Sequence, residues 1–179
     1  MARIPYYDPA TKDADFNEFV GKLGGLNIFR MLAHSERTAR GFVRLGNALL
    51  YKGTLDPVLR EIAIIRVGRH SRASYEVFQH ERIGLKAGMT PAMVAALREG
   101  GEEPFDATQR LVIRFTDEIV KDVKASDATF AAVNAAIGHE ATVELVIAIG
   151  YYMMVSRFLE TMGVDGEAGQ AEWTKTGKI

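Results

Sequence analysis

Helical periodicity, interrupted by helix-start and helix-stop signals, constrains the fold of this 179-residue chain more than any other feature. Apolar residues recur at i, i+3 and i+4 in Ala-rich segments, whereas the alternation with period two that marks strands does not persist. Asp56-Pro57 and Thr90-Pro91 each place an N-cap before a proline, and Gly88 and Gly163 follow periodic segments. The pattern predicts an all-α protein of about eight helices.

The length of the chain predicts one domain over residues 1–179, since domains commonly have about 100–200 residues. Within it we expect an extended N-terminal arm over residues 1–12. We also expect a polar C-terminal tail over residues 164–179, either loose or laid on a neighbouring subunit. The lone Trp173 in this tail favours docking, and Tyr6 and Tyr7 in the arm favour the same for that segment.

Charge and hydropathy exclude several classes of partner. The chain has 22 basic and 23 acidic residues, a net charge of −1, so it lacks the basic surface of a nucleic-acid binder. The first residues lack the apolar core of a signal peptide. The most apolar stretch, Leu145–Val155, has about 11 residues, whereas a membrane span needs about 20. We therefore expect a cytoplasmic protein with no membrane partner.

The last long periodic segment, His139–Met162, is apolar around most of its circumference. A helix of this kind is buried on all sides. Two arrangements satisfy this requirement: a central helix of a monomeric bundle, or a helix that packs partly against another subunit. We favour the second and expect a homo-oligomer.

The densest polar cluster on a predicted helix contains Glu76 and His80, which are four residues apart and therefore lie on one face. A carboxylate beside an imidazole fixes the tautomer and raises its basicity, which suits general acid–base catalysis. The spacing alone also arises often on solvated helix faces. The four histidines show no His-x-x-x-His spacing, so we expect no metal site.

Glu61 occurs in the apolar segment Leu59–Ile65. An inward carboxylate there would be desolvated and its pKa raised, making it a candidate proton donor. Alternatively, Glu61 forms a structural ion pair with one of three nearby arginines, Arg60, Arg66 or Arg69.

The core motif over residues 55–97 resembles the carboxymuconolactone decarboxylase superfamily, which includes the alkylhydroperoxidase AhpD proteins. The residues that carry the resemblance are Leu55-Asp56-Pro57, Arg60-Glu61, Arg66-Val67, Ser74-Tyr75-Glu76, His80-Glu81-Arg82-Ile83 and Ala87-Gly88-Met89-Thr90. The resemblance implies an AhpD-like helical bundle that assembles as a trimer or hexamer, with a dimer possible.

The peroxidase branch of this family carries a glutamate, a Cys-x-x-Cys pair and a histidine four residues after the second cysteine. In this chain Glu61 and His80 match the glutamate and histidine, but Ala73 and Glu76 stand at the cysteine positions. A thiol peroxidase needs an attacking and a resolving thiol, and the chain has no cysteine. Alkylhydroperoxidase activity is therefore disfavoured, and the resemblance implies the cysteine-free, decarboxylase-like branch.

For that branch the resemblance implies a lyase of the 4-carboxymuconolactone decarboxylase kind in aromatic compound catabolism, with no cofactor. Loss of CO2 leaves a dienolate, which His80 protonates. Glu76 orients His80, and Glu61 either bonds to His80 or relays the proton. The expected substrate-binding residues are Tyr75 for the lactone oxygen, Arg72 or Arg66 for a second carboxylate, and His34 at the pocket mouth. Two alternatives stay open: another cofactor-free reaction of a small lactone or enolisable carboxylic acid, and a non-enzymatic binding or structural role.

Overall fold

The computed structural model describes residues 1–176 of the chain. In this range it contains nine α-helices, a short 3₁₀ turn at Pro9–Thr11 and no strand, which confirms the all-α prediction. The helices are α1 (Ala14–Gly21), α2 (Asn27–Leu32), α3 (Glu36–Tyr51), α4 (Pro57–His70), α5 (Ser74–Ala87), α6 (Pro91–Glu99), α7 (Ala107–Asp122), α8 (Asp127–Met162) and α9 (Gln170–Thr176).

The N-terminal caps lie where the sequence signals predict them. Asp56 accepts from the backbone N–H groups of Val58 and Leu59 at 2.9 and 3.0 Å, and this fixes the start of α4. The Thr90 hydroxyl accepts from the Met93 N–H at 3.2 Å at the start of α6. Each cap satisfies donors that a helix N-terminus leaves unpaired.

Helix α8 is interrupted at Gly138, directly before the periodic segment His139–Met162 of the sequence analysis. Gly138 has φ 81° and ψ 170°, a conformation essentially restricted to glycine. The chain continues in the same element, so α8 consists of a segment before Gly138 and a longer segment over residues 139–162.

Helix α4 lies at the centre of the molecule and packs against α5, α7 and α8. Ile62, Ala63, Ile64 and Ile65 are completely buried, so this helix is covered on all sides by its own chain. The long segment of α8 is buried on one face only, whereas Val143 and Ile147 remain 58% and 43% exposed. Complete burial of α8, the expectation from its apolar composition, is thus not reached within a single chain.

By length and composition α8 could also cross a membrane. Half of its most apolar stretch is buried inside the molecule, and core helices of soluble proteins share this length and composition.

The N-terminal arm and the C-terminal tail pack against one another. The backbone N–H of Arg3 donates to the carbonyl of Met162 at 2.9 Å, and the Tyr6 hydroxyl donates to Asp165 at 3.0 Å. Tyr7 is buried and donates to Asn17 at 2.5 Å. The arm is therefore anchored on its own chain.

Residues 164–176 of the tail are not loose, because they pack against their own chain. Helix α9 forms within them and buries Trp173, whose indole N–H donates to Glu81 of α5 at 2.7 Å. The ring also meets the edge of Phe78 at 6.4 Å between centroids. The last three residues of the predicted tail, 177–179, lie outside the described residues.

Candidate active site

The packing of α4 against α5 brings Glu61 and His80 into direct contact. Glu61 Oε2 lies 2.6 Å from His80 Nδ1, and Arg60 Nε donates to Glu61 Oε1 at 3.0 Å. Glu61 is completely buried. Glu61 therefore forms the ion pair with a nearby arginine that was the second alternative from the sequence, and it also bonds to His80.

Glu76 holds the second nitrogen of the same imidazole. Its Oε1 lies 3.2 Å from His80 Nε2, as expected for residues one helical turn apart on α5. His80 is 5% exposed, and the edge-on ring of Tyr152 lies 4.7 Å away between centroids. The imidazole is thus fixed by two carboxylates and an aromatic ring.

The two carboxylates determine the protonation state of His80. Burial alone would lower the pKa of His80, but the charges and hydrogen bonds of Glu61 and Glu76 outweigh it and raise the pKa to about 10. His80 is consequently an imidazolium at neutral pH, and each of its N–H groups donates to a carboxylate. A group in this state can donate a proton but cannot act as a base.

His80 and Glu76 border a cavity of about 480 Å³ between α5, α3, α8 and the segment around α2. We call it the His80 cavity. Helix α5 lines it with one face, and the residues of that face are Tyr75, Glu76, Gln79, His80 and Ile83. The opposite walls are mainly aromatic and aliphatic, and include Phe29 and Phe42. The volume lies within the usual range for small-molecule sites, about 300–1,000 Å³.

Tyr151, Tyr152 and Gln79 line the cavity, although the sequence did not indicate them as site residues. The two tyrosines lie in the apolar stretch Leu145–Val155, where the sequence indicates core or interface packing. Gln79 could have been found, because it lies on the same face of α5 as Tyr75 and His80. Gly46 of α3 permits the close approach of Tyr151, since a Cβ there would meet the Tyr151 hydroxyl at 2.7 Å.

Tyr75 borders the cavity, but its hydroxyl is already occupied. It donates to Glu167 of the tail at 2.5 Å. Burial and the neighbouring Glu167 together raise the pKa of Tyr75 well above its ordinary value. The predicted donation from Tyr75 to a substrate oxygen would require this bond to be exchanged.

The structure does not bring the other three predicted substrate-binding residues to the His80 cavity. Arg66 binds Asp117 through two bonds of 2.6 and 2.9 Å, and His70 bonds to the same carboxylate at 2.7 Å. His34 is exposed and its Nε2 lies 2.7 Å from the carbonyl oxygen of Pro5 in the arm. The positions of Arg66 and His34 therefore do not support the prediction that they bind a substrate beside His80.

Arg72 lies beside a different cavity, of about 490 Å³, which we call the arginine cavity. Ser74, Val77, Phe78 and Glu81 of α5 line it, a face roughly opposite to the face that lines the His80 cavity. Its three arginines are Arg69, Arg72 and Arg98. Arg72 is placed there because it follows the end of α4 with a left-handed φ of 55°, which sequence periodicity does not predict.

Among residues 1–176 no group of three or more acidic or histidine side chains is arranged to hold a metal ion. Glu61, Glu76 and His80 form a hydrogen-bonded set, in which both nitrogens of the imidazole are occupied. The arrangement is suited to proton transfer at the cavity wall.

Comparisons with known proteins agree with this fold. Residues 36–118, from the start of α3 into α7, match the Carboxymuconolactone decarboxylase family. A search of curated proteins gives no significant match. The matching segment contains Glu61, Glu76 and His80.

Three solved structures share the fold over nearly the whole chain. The AhpD core of an uncharacterized peroxidase-related protein from Ralstonia eutropha is 19% identical, with 94% of each chain covered and a TM-score of 0.81. A peroxidase-related protein from Silicibacter is 18% identical, covers 94% of this chain and 92% of its own, and has a TM-score of 0.77. The debrominase Bmp8, a cysteine-to-alanine variant in complex with 2,3,4-tribromopyrrole, is 14% identical, with 99% and 100% covered and a TM-score of 0.79.

Fold and site together define an all-helical protein of the AhpD-core type with a buried histidine held by glutamates. Over residues 36–118 the chain is similar to the Carboxymuconolactone decarboxylase family, as its core motif predicted, and its fold is that of the AhpD core.

Proposed function

We propose that the protein is a cofactor-free acid–base enzyme that forms and protonates an enolate of a small, uncharged carbonyl compound. The observation that carries this proposal is the imidazole of His80, held between two carboxylates at the wall of an apolar cavity.

The proposed chemistry uses two side chains at the cavity wall and one behind it. Glu76 accepts a proton from the carbon next to the carbonyl, which leaves an enolate, and His80 donates to the developing negative charge or returns a proton to carbon. In a lyase reaction, loss of CO2 would generate the same enolate, and only the protonation by His80 would remain. Glu61 does not border the cavity and acts as a positioning residue that keeps His80 protonated.

The charges around the cavity support an uncharged substrate. Glu61 and Glu76 balance Arg60 and His80, so the buried group has no net charge. The other cation that borders the cavity within the described residues is Lys22, which is exposed and pairs with Glu18 at 2.6 Å. A substrate carboxylate would be buried beside Glu76 without a cation of its own, which is costly.

This charge balance bears on the decarboxylation of carboxymuconolactone itself. Its substrate keeps a second carboxylate through the reaction, and the arginines that we expected to bind it, Arg66 and Arg72, lie outside the His80 cavity. We therefore favour an uncharged lactone or ketone over the dicarboxylate. Thiol peroxidase activity is not proposed, because the chain has no cysteine.

Hydrogen–deuterium exchange tests the proposal without requiring the natural substrate. Dihydrocoumarin, a neutral lactone, and 2-tetralone, a neutral ketone, are incubated with the protein in D2O, and loss of the α-proton signal is followed by NMR. We expect the wild type to accelerate exchange and His80→Gln and Glu76→Gln to lose about 100-fold or more of that acceleration. His70→Gln is the matched control, since His70 also bonds to a carboxylate but lies outside the cavity.

Equal exchange rates for the wild type and His80→Gln would contradict the enzymatic proposal. If the probes bind without any accelerated exchange, the non-enzymatic binding role is supported instead. CO2 release from carboxymuconolactone, measured in parallel, reports on the decarboxylase reaction, and peroxide consumption reports on the peroxidase reaction.

A further inference from the structure

The outward face of α8 carries a regular row of residues, which we call the α8 seam. Its members are Glu140, Val143, Ile147, Gly150, Met154 and Arg157. All six are exposed, and the three large apolar side chains among them are 43–58% exposed. An exposed apolar row bounded by charges is typical of a protein–protein contact.

The intervals between successive residues of the seam are the same when counted from either end. Successive members are separated by 3, 4, 3, 4 and 3 residues. This spacing keeps residues on one side of a helix and is the repeat that lets two helices interdigitate. Because the row is symmetric about a point between Ala148 and Ile149, a second copy running antiparallel presents the same row in register.

We propose that the chain forms a twofold symmetric dimer through antiparallel pairing of the α8 seams of two copies. In this register Glu140 faces Arg157 of the partner subunit, Val143 faces Met154, and Ile147 faces Gly150. Each contact occurs twice, as a twofold interface requires.

The charges at the two ends of the seam fit this pairing. Neither Glu140 nor Arg157 forms an ion pair within residues 1–176, and Arg157 donates only to the Met153 carbonyl of its own helix, at 2.8 Å. Antiparallel pairing joins these opposite charges at both ends, whereas parallel pairing in register would place like charges together. Charge complementarity therefore selects the antiparallel orientation.

The shape of the seam fits as well. Nothing lies within 4 Å of a Cβ built at Gly150, so a side chain from the partner, Ile147, can approach the helix backbone there. Beside Val143 lies a shallow groove of about 260 Å³ whose lining includes Phe130, Val146 and Ile147. Met154 of the partner subunit faces Val143 and can fill this groove, since methionine adapts readily to irregular apolar surfaces.

The seam is separate from the His80 cavity, although both involve α8. Tyr152 and Val155 line the cavity from the inward face of the helix, while the seam lies on the outward face. Dimerisation and acid–base activity can therefore be measured as independent properties.

Charge reversal tests both the interface and its register, with mass measured by analytical ultracentrifugation of the full chain over a range of concentrations. We expect the wild type to have twice the 19.7 kDa mass of one chain. Glu140→Arg and Arg157→Glu should each weaken dimerisation by at least about 10-fold, because each places like charges together twice. The double variant, with both charges reversed, should restore it.

Glu160→Arg is the control, since Glu160 is exposed on the same helix but outside the seam. Circular dichroism of every variant separates loss of pairing from loss of folding. A monomeric wild type at all concentrations overturns the proposal. So does a trimeric or hexameric wild type whose mass is unchanged by the two reversals, or a double variant that stays as weak as the single ones.

Discussion

At the residue scale, the site depends on one imidazole that bonds to two carboxylates. The Glu76–His80 pair could be predicted, because residues four apart on a helix meet whatever the tertiary structure is. The Glu61–His80 contact depends on how α4 packs on α5, so only the resemblance to a family indicated it. The position of Arg72 could not be predicted, because a left-handed backbone conformation places this residue on the other side of α5.

The charge on His80 gives a prediction for its titration. Replacing Glu61 by Gln removes the charge and weakens the bond that hold His80 protonated, so the pKa of His80 should fall well below its wild-type value of about 10. NMR titration of the His80 ring measures this. Glu36→Gln, a helix-surface variant, serves as the control. An unchanged titration in Glu61→Gln would show that Glu61 does not set the charge of His80.

The same change should alter the pH dependence of stability. A histidine whose pKa is raised in the folded state adds stability that is fully present below about pH 6.5 and is lost as the pH rises through about 10. The melting temperature of the wild type should therefore decline more steeply between pH 7 and pH 10 than that of Glu61→Gln. Parallel curves for the two proteins would contradict this account.

At the element scale, helix starts were predictable and the last helix was not. Asp56-Pro57 and Thr90-Pro91 cap their helices through local contacts, so the sequence alone suffices. Helix α9 is only seven residues long, too short to be stable by itself. It forms where the indole N–H of Trp173 donates to the buried carboxylate of Glu81. These two residues are far apart in the sequence.

The interruption of α8 can be tested by a single methyl group. Gly138→Ala should lower the free energy of unfolding by about 1–3 kcal/mol, because the conformation at this position disfavours any side chain. No atom lies within 4 Å of the added Cβ, so the cost is that of the backbone alone. Chemical denaturation measures it.

Gly41→Ala is the matched control for that measurement. Gly41 lies in α3 with helical geometry, and its Cβ would also meet open space. This substitution should raise stability by up to about 1 kcal/mol, since alanine favours helices. Equal effects of the two substitutions on the free energy of unfolding would show that a side chain at position 138 does not strain the backbone.

At the scale of the whole molecule, the two ends of the chain close over the bundle. Asp165 accepts from Tyr6 of the arm, and Glu167 accepts from Tyr75 at the His80 cavity. The all-α class could be predicted from periodicity. The closure could not, because it is made of polar contacts between segments that show no periodic pattern.

Trp173 reports on this closure, since it is the only tryptophan of the chain. Its emission should be blue-shifted in the wild type because the ring is buried against Phe78. Trp173→Ala should cost about 3–5 kcal/mol of stability, as large buried aromatic residues do. Trp173→Phe, which keeps apolar volume but loses the bond to Glu81, should cost less. An emission spectrum typical of a solvent-exposed indole would contradict the docking of the tail.

Helix α5 separates the His80 cavity from the arginine cavity, and the two are nearly equal in size. The first contains a proton donor and the second contains fixed positive charges. The rotation of this helix about its axis decides which of its side chains face each cavity. A single residue inserted in the connection before Ser74 would turn the helix by about 100° relative to the chain that enters it. The length of that connection therefore decides whether Glu76 and His80 reach the His80 cavity at all.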